Sequence, residues 1–127
     1  MKDACPKDFI ACKAGYRSPY LCDAVEQVLS GRLDLTGIAA LPDAELIAAL
    51  EAVRGVGVKV ANCVALFAYG RTACAPVDTW IKKVIQKEYQ GQNPFARYGN
   101  AAGIMQQYFF YYAQNHKAET AQRCFRT

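Results

Sequence analysis

Gly55-Val56-Gly57 separates two apolar runs of helical period and leaves no room for an ordinary loop. Upstream, Pro42 and Asp43 open a run in which Leu46, Ile47, Leu50 and Val53 recur at helical spacing as far as Arg54. Downstream, Val60, Ala61, Val64, Ala65 and Phe67 repeat the pattern to near Gly70. Two helices joined by so short a link must turn back on each other, which places a helical hairpin at about residues 43–69.

The same period runs through the rest of the chain. Ser18-Pro19 reads as an N-cap followed by proline at the first helical position, and Leu21, Cys22, Val25, Val28 and Leu29 carry a helix over about 18–30 until Gly31 stops it. A short helical turn is expected around 35–40. Residues 71–77, with Pro76, read as an extended connection. Asp78 stands at or next to the N-cap of the next helix, whose Trp80, Ile81, Val84 and Ile85 form one stripe opposite Lys82, Lys83, Gln86 and Lys87. Gly91, Asn93 and Pro94 break the chain, and an aromatic-rich helix is expected over about 101–115. The expected fold is therefore all-α, a helical bundle in one domain over residues 1–127, without solenoid repeats or a Pro/Ser-rich linker.

Composition narrows the function classes. A chain of 127 residues, 53% of them hydrophobic, supports one core and excludes a disordered tail as its main content. Arg54, Lys59, Asn62, Arg71 and Asp78 interrupt the most apolar part, so no membrane span is expected; Lys2, Asp3, Lys7 and Asp8 occupy the place of a signal sequence's apolar core, so an intracellular location is expected. The six cysteines (Cys5, Cys12, Cys22, Cys63, Cys74, Cys124) form no CxxC pair, and His116 has no thiol nearby in sequence, so they read as reduced thiols, with no metal or other cofactor. The net charge of +4 is unevenly placed: residues 54–127 carry ten basic groups against Asp78, Glu88 and Glu119, a local balance of +7. That half suits a polyanion such as nucleic acid, or else is simply a solvated basic surface.

A Gly-Val-Gly link lets the backbone take positive φ and approach a ligand closely, and the helix that follows presents amides and a favourable dipole to an anion. Gly55, Val56 and Gly57 thus suit a phosphate, although the same turn serves as a plain helical corner. Lys59 stands two residues on, inside an apolar run. Half-buried beside a helix N-terminus, its ammonium form would be disfavoured and its amine freed as a nucleophile; alternatively the stem packs and the charge snorkels to solvent. Asp78, a carboxylate at a helix N-terminus, suits either a plain cap or the stabilisation of a developing cation.

Taken together, the run GVGVKVANCVALFAYGRTACAPVDTWIKKV from Gly55 to Val84 resembles the helix-hairpin-helix DNA glycosylases: a GxG hairpin, a lysine two residues later, then Pro-Val-Asp ending at Asp78. Within that superfamily the lysine marks members with lyase activity, and the absent cysteine cluster points away from the iron–sulfur branch. Gly15-Tyr16-Arg17 and the segment GIMQQYFF from Gly103 to Phe110 are similar to the 8-oxoguanine DNA glycosylase branch. The resemblance implies that Lys59 attacks C1′ of a damaged nucleotide and forms a Schiff base, with Asp78 stabilising the cationic sugar. It further implies that Cys63, Gln106 and Phe110 line the pocket for the extruded base, that Tyr16 and Arg17 read the opposite cytosine, and that Gly55, Val56 and Gly57 grip phosphate.

Two departures accompany the resemblance. Trp80 occupies the place of a histidine often found in animal members, and complete members carry a β-rich domain and several helices before the GYR segment, where this chain has only fourteen residues. The resemblance therefore covers the C-terminal portion of such an enzyme. It implies damaged double-stranded DNA as partner, exposed apolar helix faces, and a need for the missing N-terminal half or for self-association. The alternative is a non-catalytic DNA-binding fragment; a purely structural helical protein is the third reading.

Overall fold

A computed structural model describes residues 6–115, which form helices, turns and connections with no strand among them. Cys5, His116, Cys124 and the segment 117–127 lie outside the described residues. The backbone divides into two compact units, Met1–Ala61 and Asn62–Thr127.

In the first unit, helix α1 (Pro6–Ala11) packs on α2 (Ser18–Leu29), with a 3-10 turn at Gly15–Arg17 between them. Ser18 is the first helical residue and not the N-cap that its Ser-Pro sequence suggests. Arg17 already has helical backbone angles, so the 3-10 turn runs straight into α2, and the buried Ser18 hydroxyl donates backwards to the Gly15 carbonyl at 2.7 Å. The next 3-10 turn, Gly37–Ala40, is held by the Asp34 carboxylate, which accepts from the amides of Thr36 (3.2 Å) and Gly37 (3.0 Å).

Helix α3 (Asp43–Glu51) buries Leu46 and Leu50, and Val53 is buried just beyond it. Removing three such side chains from water is worth about 1.5–3 kcal/mol each. The helix closes at Glu51, short of the Arg54 that apolar spacing suggests, because Val53 donates to Leu50 (3.1 Å) and Val56 to Val53 (3.0 Å) in tight turns that replace the helical ladder. Helix α4 (Val58–Phe67) follows, completing the hairpin.

Gly55 makes that corner: its φ is +85°, and a Cβ there would lie 2.6 Å from Cγ of Tyr20. The Arg54 guanidinium covers the same tyrosine ring at 5.3 Å. Gly55→Ala is expected to cost roughly 2–4 kcal/mol, through left-handed strain and overpacking. Gly57 has no positive φ, contrary to the expectation for both glycines, and an added Cβ meets nothing within 4 Å. Gly57→Ala should therefore leave stability within about 0.5 kcal/mol by urea denaturation.

In the second unit, α5 (Thr79–Glu88) packs against α6 (Ala102–Asn115), and a 3-10 segment (Phe95–Ala101), kinked at Gly99, lies on α6. The core joins Ile81, Ile85, Phe95 and Ala102, with Val77, Tyr98, Phe109 and Phe110 packed against it. Phe109 gathers the aromatics: Tyr89 stacks on it at 5.8 Å, Phe95 tilts against it at 5.2 Å, and Tyr98 meets it edge-on at 6.4 Å. The extended connection before α5 is tied to α6 by the Gly103 amide, which donates to the Thr72 carbonyl at 2.7 Å.

Candidate functional site

The hairpin presents α4 as an open helix end. Its first hydrogen bond runs from the Ala61 amide to the Gly57 carbonyl at 2.9 Å, so the amides of Lys59 and Val60 precede the helical ladder. Of the three residues expected to grip phosphate, Val56 has its amide already bonded to Val53, whereas Gly55 and Gly57 are exposed. The geometry therefore favours Gly57 and the first turn of α4 over Val56 as donors to an anion.

Lys59 lies on that first turn and is exposed, not half-buried. Its apolar neighbours are exposed as well, Val58 at 66% and Val60 at 41%, so the surrounding sequence supplies apolar character without covering the amine. Cys63 follows one helical turn later and is partly buried.

Asp78 is the N-cap of α5. Its backbone is extended, and one carboxylate oxygen accepts the Ile81 amide at 2.8 Å. The preceding Pro76 is fully buried and Val77 packs on the core, so two anchored residues fix where the cap stands. Sequence reasoning placed this cap correctly but did not single out Pro76 as its anchor. Asn caps a helix as well as Asp does, whereas Ala does not. Asp78→Asn is therefore expected to keep stability, while Asp78→Ala loses about 1 kcal/mol, as thermal melts would report.

Gln106 and Phe110 stand one turn apart on α6. Gln106 is buried at 3% exposure, and its side-chain oxygen accepts from the Gln107 amide group; Phe110 is partly buried against the Ile81 cluster. An apolar groove of about 550 Å³ between the end of α4 and α6 is lined by other residues, among them Phe67, Ile104, Tyr108 and Tyr111, and by none of Cys63, Gln106 and Phe110. Phe67 (65%), Tyr108 (66%) and Tyr111 (71%) of this groove are exposed, so it presents a contiguous apolar surface.

Tyr16 and Arg17 project from the 3-10 turn that Ser18 anchors. Both are exposed, and the Arg17 guanidinium sits 4.8 Å from the centre of the Tyr16 ring. Cys12, Cys22, Cys63 and Cys74 are thiols; among the described residues no cluster of ligands suits a metal ion, and no helix is long and apolar enough to cross a membrane.

No family model matches the chain. It is 32% identical to a probable N-glycosylase/DNA lyase of Methanothermobacter thermautotrophicus, over 89% of this chain and 40% of that protein. The 8-oxoguanine glycosylase/lyase of Clostridium acetobutylicum, in complex with double-stranded DNA containing cytosine opposite 8-oxoG, superposes with a TM-score of 0.85 and 35% identity over 92% of this chain. In sequence and fold the chain is similar to a part of these DNA glycosylase/lyases. The apo form of the same clostridial enzyme gives a TM-score of 0.81 and 38% identity. The chain spans less than half the length of these relatives, 40% of the archaeal protein and 43% and 42% of the clostridial chains, which is consistent with the C-terminal portion of a glycosylase.

Proposed function

We propose that this chain carries the catalytic part of a DNA glycosylase with AP lyase activity that removes 8-oxoguanine from duplex DNA through a Schiff base on Lys59. The observation that carries this reading is a reachable lysine on the first turn after a Gly-cornered hairpin, in a fold close to an 8-oxoguanine glycosylase/lyase. The Lys59 amine attacks C1′ of the sugar, the bond from C1′ to the base nitrogen breaks, and the base leaves with the electron pair and takes up a proton. Loss of a proton from the new amine and opening of the sugar ring give the imine. Removal of a C2′ proton then expels the 3′ phosphate by β-elimination.

Asp78 keeps one carboxylate oxygen on the Ile81 amide and offers the carboxylate's charge to the cationic sugar. The Asn and Ala variants at this position therefore separate two roles: Asp78→Asn should slow base release while preserving the cap. Gly57 and the first turn of α4 receive a phosphate, so Gly57→Ala weakens duplex binding without loss of stability. Gln106 and Phe110 hold the edge and face of the extruded base beside Cys63, and Tyr16 and Arg17 read the opposite cytosine. Partners are damaged duplex DNA and, at the exposed apolar faces, a complementary half or a second copy; the setting is intracellular.

Exposed Val58, Phe67, Tyr108 and Tyr111 favour a second reading, a DNA-binding fragment that lacks a closed base pocket. Incubation with duplex holding 8-oxoguanine opposite cytosine separates the two. The catalytic reading predicts free 8-oxoguanine and a nicked strand. Intact DNA together with retained duplex binding leaves the second.

A further inference from the structure

The helix that Asp78 caps carries a basic face that the reaction does not use. Lys82, Lys83 and Lys87 are exposed on α5, with exposed Gln86 and Thr79 among them and the buried Ile81 and Ile85 on the opposite side. Glu88, the one acid of the helix, makes no ion pair with them, and Lys83 and Lys87 sit at i, i+4, where like charges repel. The Lys83 ammonium is held 4.9 Å over the Trp80 ring, which fixes it before any partner arrives. An uncompensated row of three lysines weakens the free helix and suits an anionic surface of matching pitch.

Lys82 and Lys87 are five residues apart, about 7.5 Å along the helix axis, whereas successive phosphates of one DNA strand advance about 3.4 Å along the duplex. The row therefore spans two to three phosphates. We propose that Lys82, Lys83 and Lys87 form a second phosphodiester-binding site, separate from the hairpin, that holds duplex DNA of any sequence alongside the capped end of α5. This rests on the reading of the chain as a DNA glycosylase. It adds a non-specific grip to a chain that spans less than half the length of its relatives.

The test is the salt dependence of binding to an undamaged, fluorescein-labelled duplex, read by anisotropy for the full chain. Each lost phosphate contact lowers the slope of log affinity against log salt by about 0.9. The combined variant Lys82→Gln, Lys83→Gln, Lys87→Gln is expected to lower the slope by about 2 and weaken binding at least tenfold at 0.1 M KCl. The corresponding Lys→Arg triple keeps the charges and should restore the slope, which separates lost contacts from lost folding. A wild-type chain that binds duplex, with a slope unchanged in the glutamine triple, overturns this site and leaves the glycosylase reading standing. A wild-type chain that does not bind duplex, or that prefers phosphatidylserine vesicles, overturns both.

Discussion

Lys59→Gln is expected to reduce strand cleavage at 8-oxoguanine by about a thousandfold or more while leaving duplex affinity within about threefold. Glutamine keeps much of the stem but has no basic amine, so neither the C1′ adduct nor the imine can form. The side chain is exposed on the first turn of α4, which puts the expected stability change within about 0.5 kcal/mol. Loss of activity therefore cannot be assigned to unfolding, and a circular dichroism melt beside the cleavage assay checks this. The exposure of Lys59 also changes the reason for the reactivity proposed for it. The free chain does not bury the amine; in the proposed complex the duplex and the extruded nucleotide cover it and exclude water.

Gly103→Ala is expected to destabilise the protein by about 3 kcal/mol, or roughly 10 °C in Tm. A Cβ at Gly103 would run into the Cys74 carbonyl oxygen and would lie 2.7 Å from Cδ1 of Leu66 and 3.0 Å from the Thr72 carbonyl oxygen. Two of those three atoms are backbone and cannot rotate away. The same residue donates its amide to the Thr72 carbonyl, so moving α6 outward to relieve the clash would also stretch that bond. The movement would carry Gln106 and Phe110 with it, because they stand on the next turns of the same helix. Differential scanning calorimetry of Gly103→Ala, with Gly57→Ala as the unhindered control, measures the difference.

Helices were legible wherever apolar period and a breaker agreed. The α5 stripe, its cap at Asp78, and the hairpin around Gly55 follow from local patterns that solvent and backbone geometry enforce without help from the rest of the chain. Apart from the turn at Gly37–Ala40, the short elements were not legible: α1 and the 3-10 turns at Gly15–Arg17 and Phe95–Ala101 have too few residues to show a period. Ser18 illustrates the limit. Ser-Pro is a common helix start, but here the hydroxyl serves the preceding turn, a choice set by burial.

The candidate site divides in the same way. The residue types and their spacing were readable in the sequence, but the covering of each was not. Apolar neighbours in sequence suggested that Lys59 is partly buried, yet Val58 and Val60 are exposed beside it. Gln106 goes the other way: a polar residue in a run of aromatics is almost wholly buried, with Gln107 as its partner. Burial depends on which helix packs where, and that is set by contacts distant in sequence.

Borohydride trapping tests the central claim most directly. The chain is mixed with duplex containing 8-oxoguanine opposite cytosine, reduced, digested and analysed by mass spectrometry. The account predicts a covalent protein–DNA species with the added mass on Lys59, absent from Lys59→Gln. A crosslink mapped to another residue, or none at saturating duplex, would contradict it.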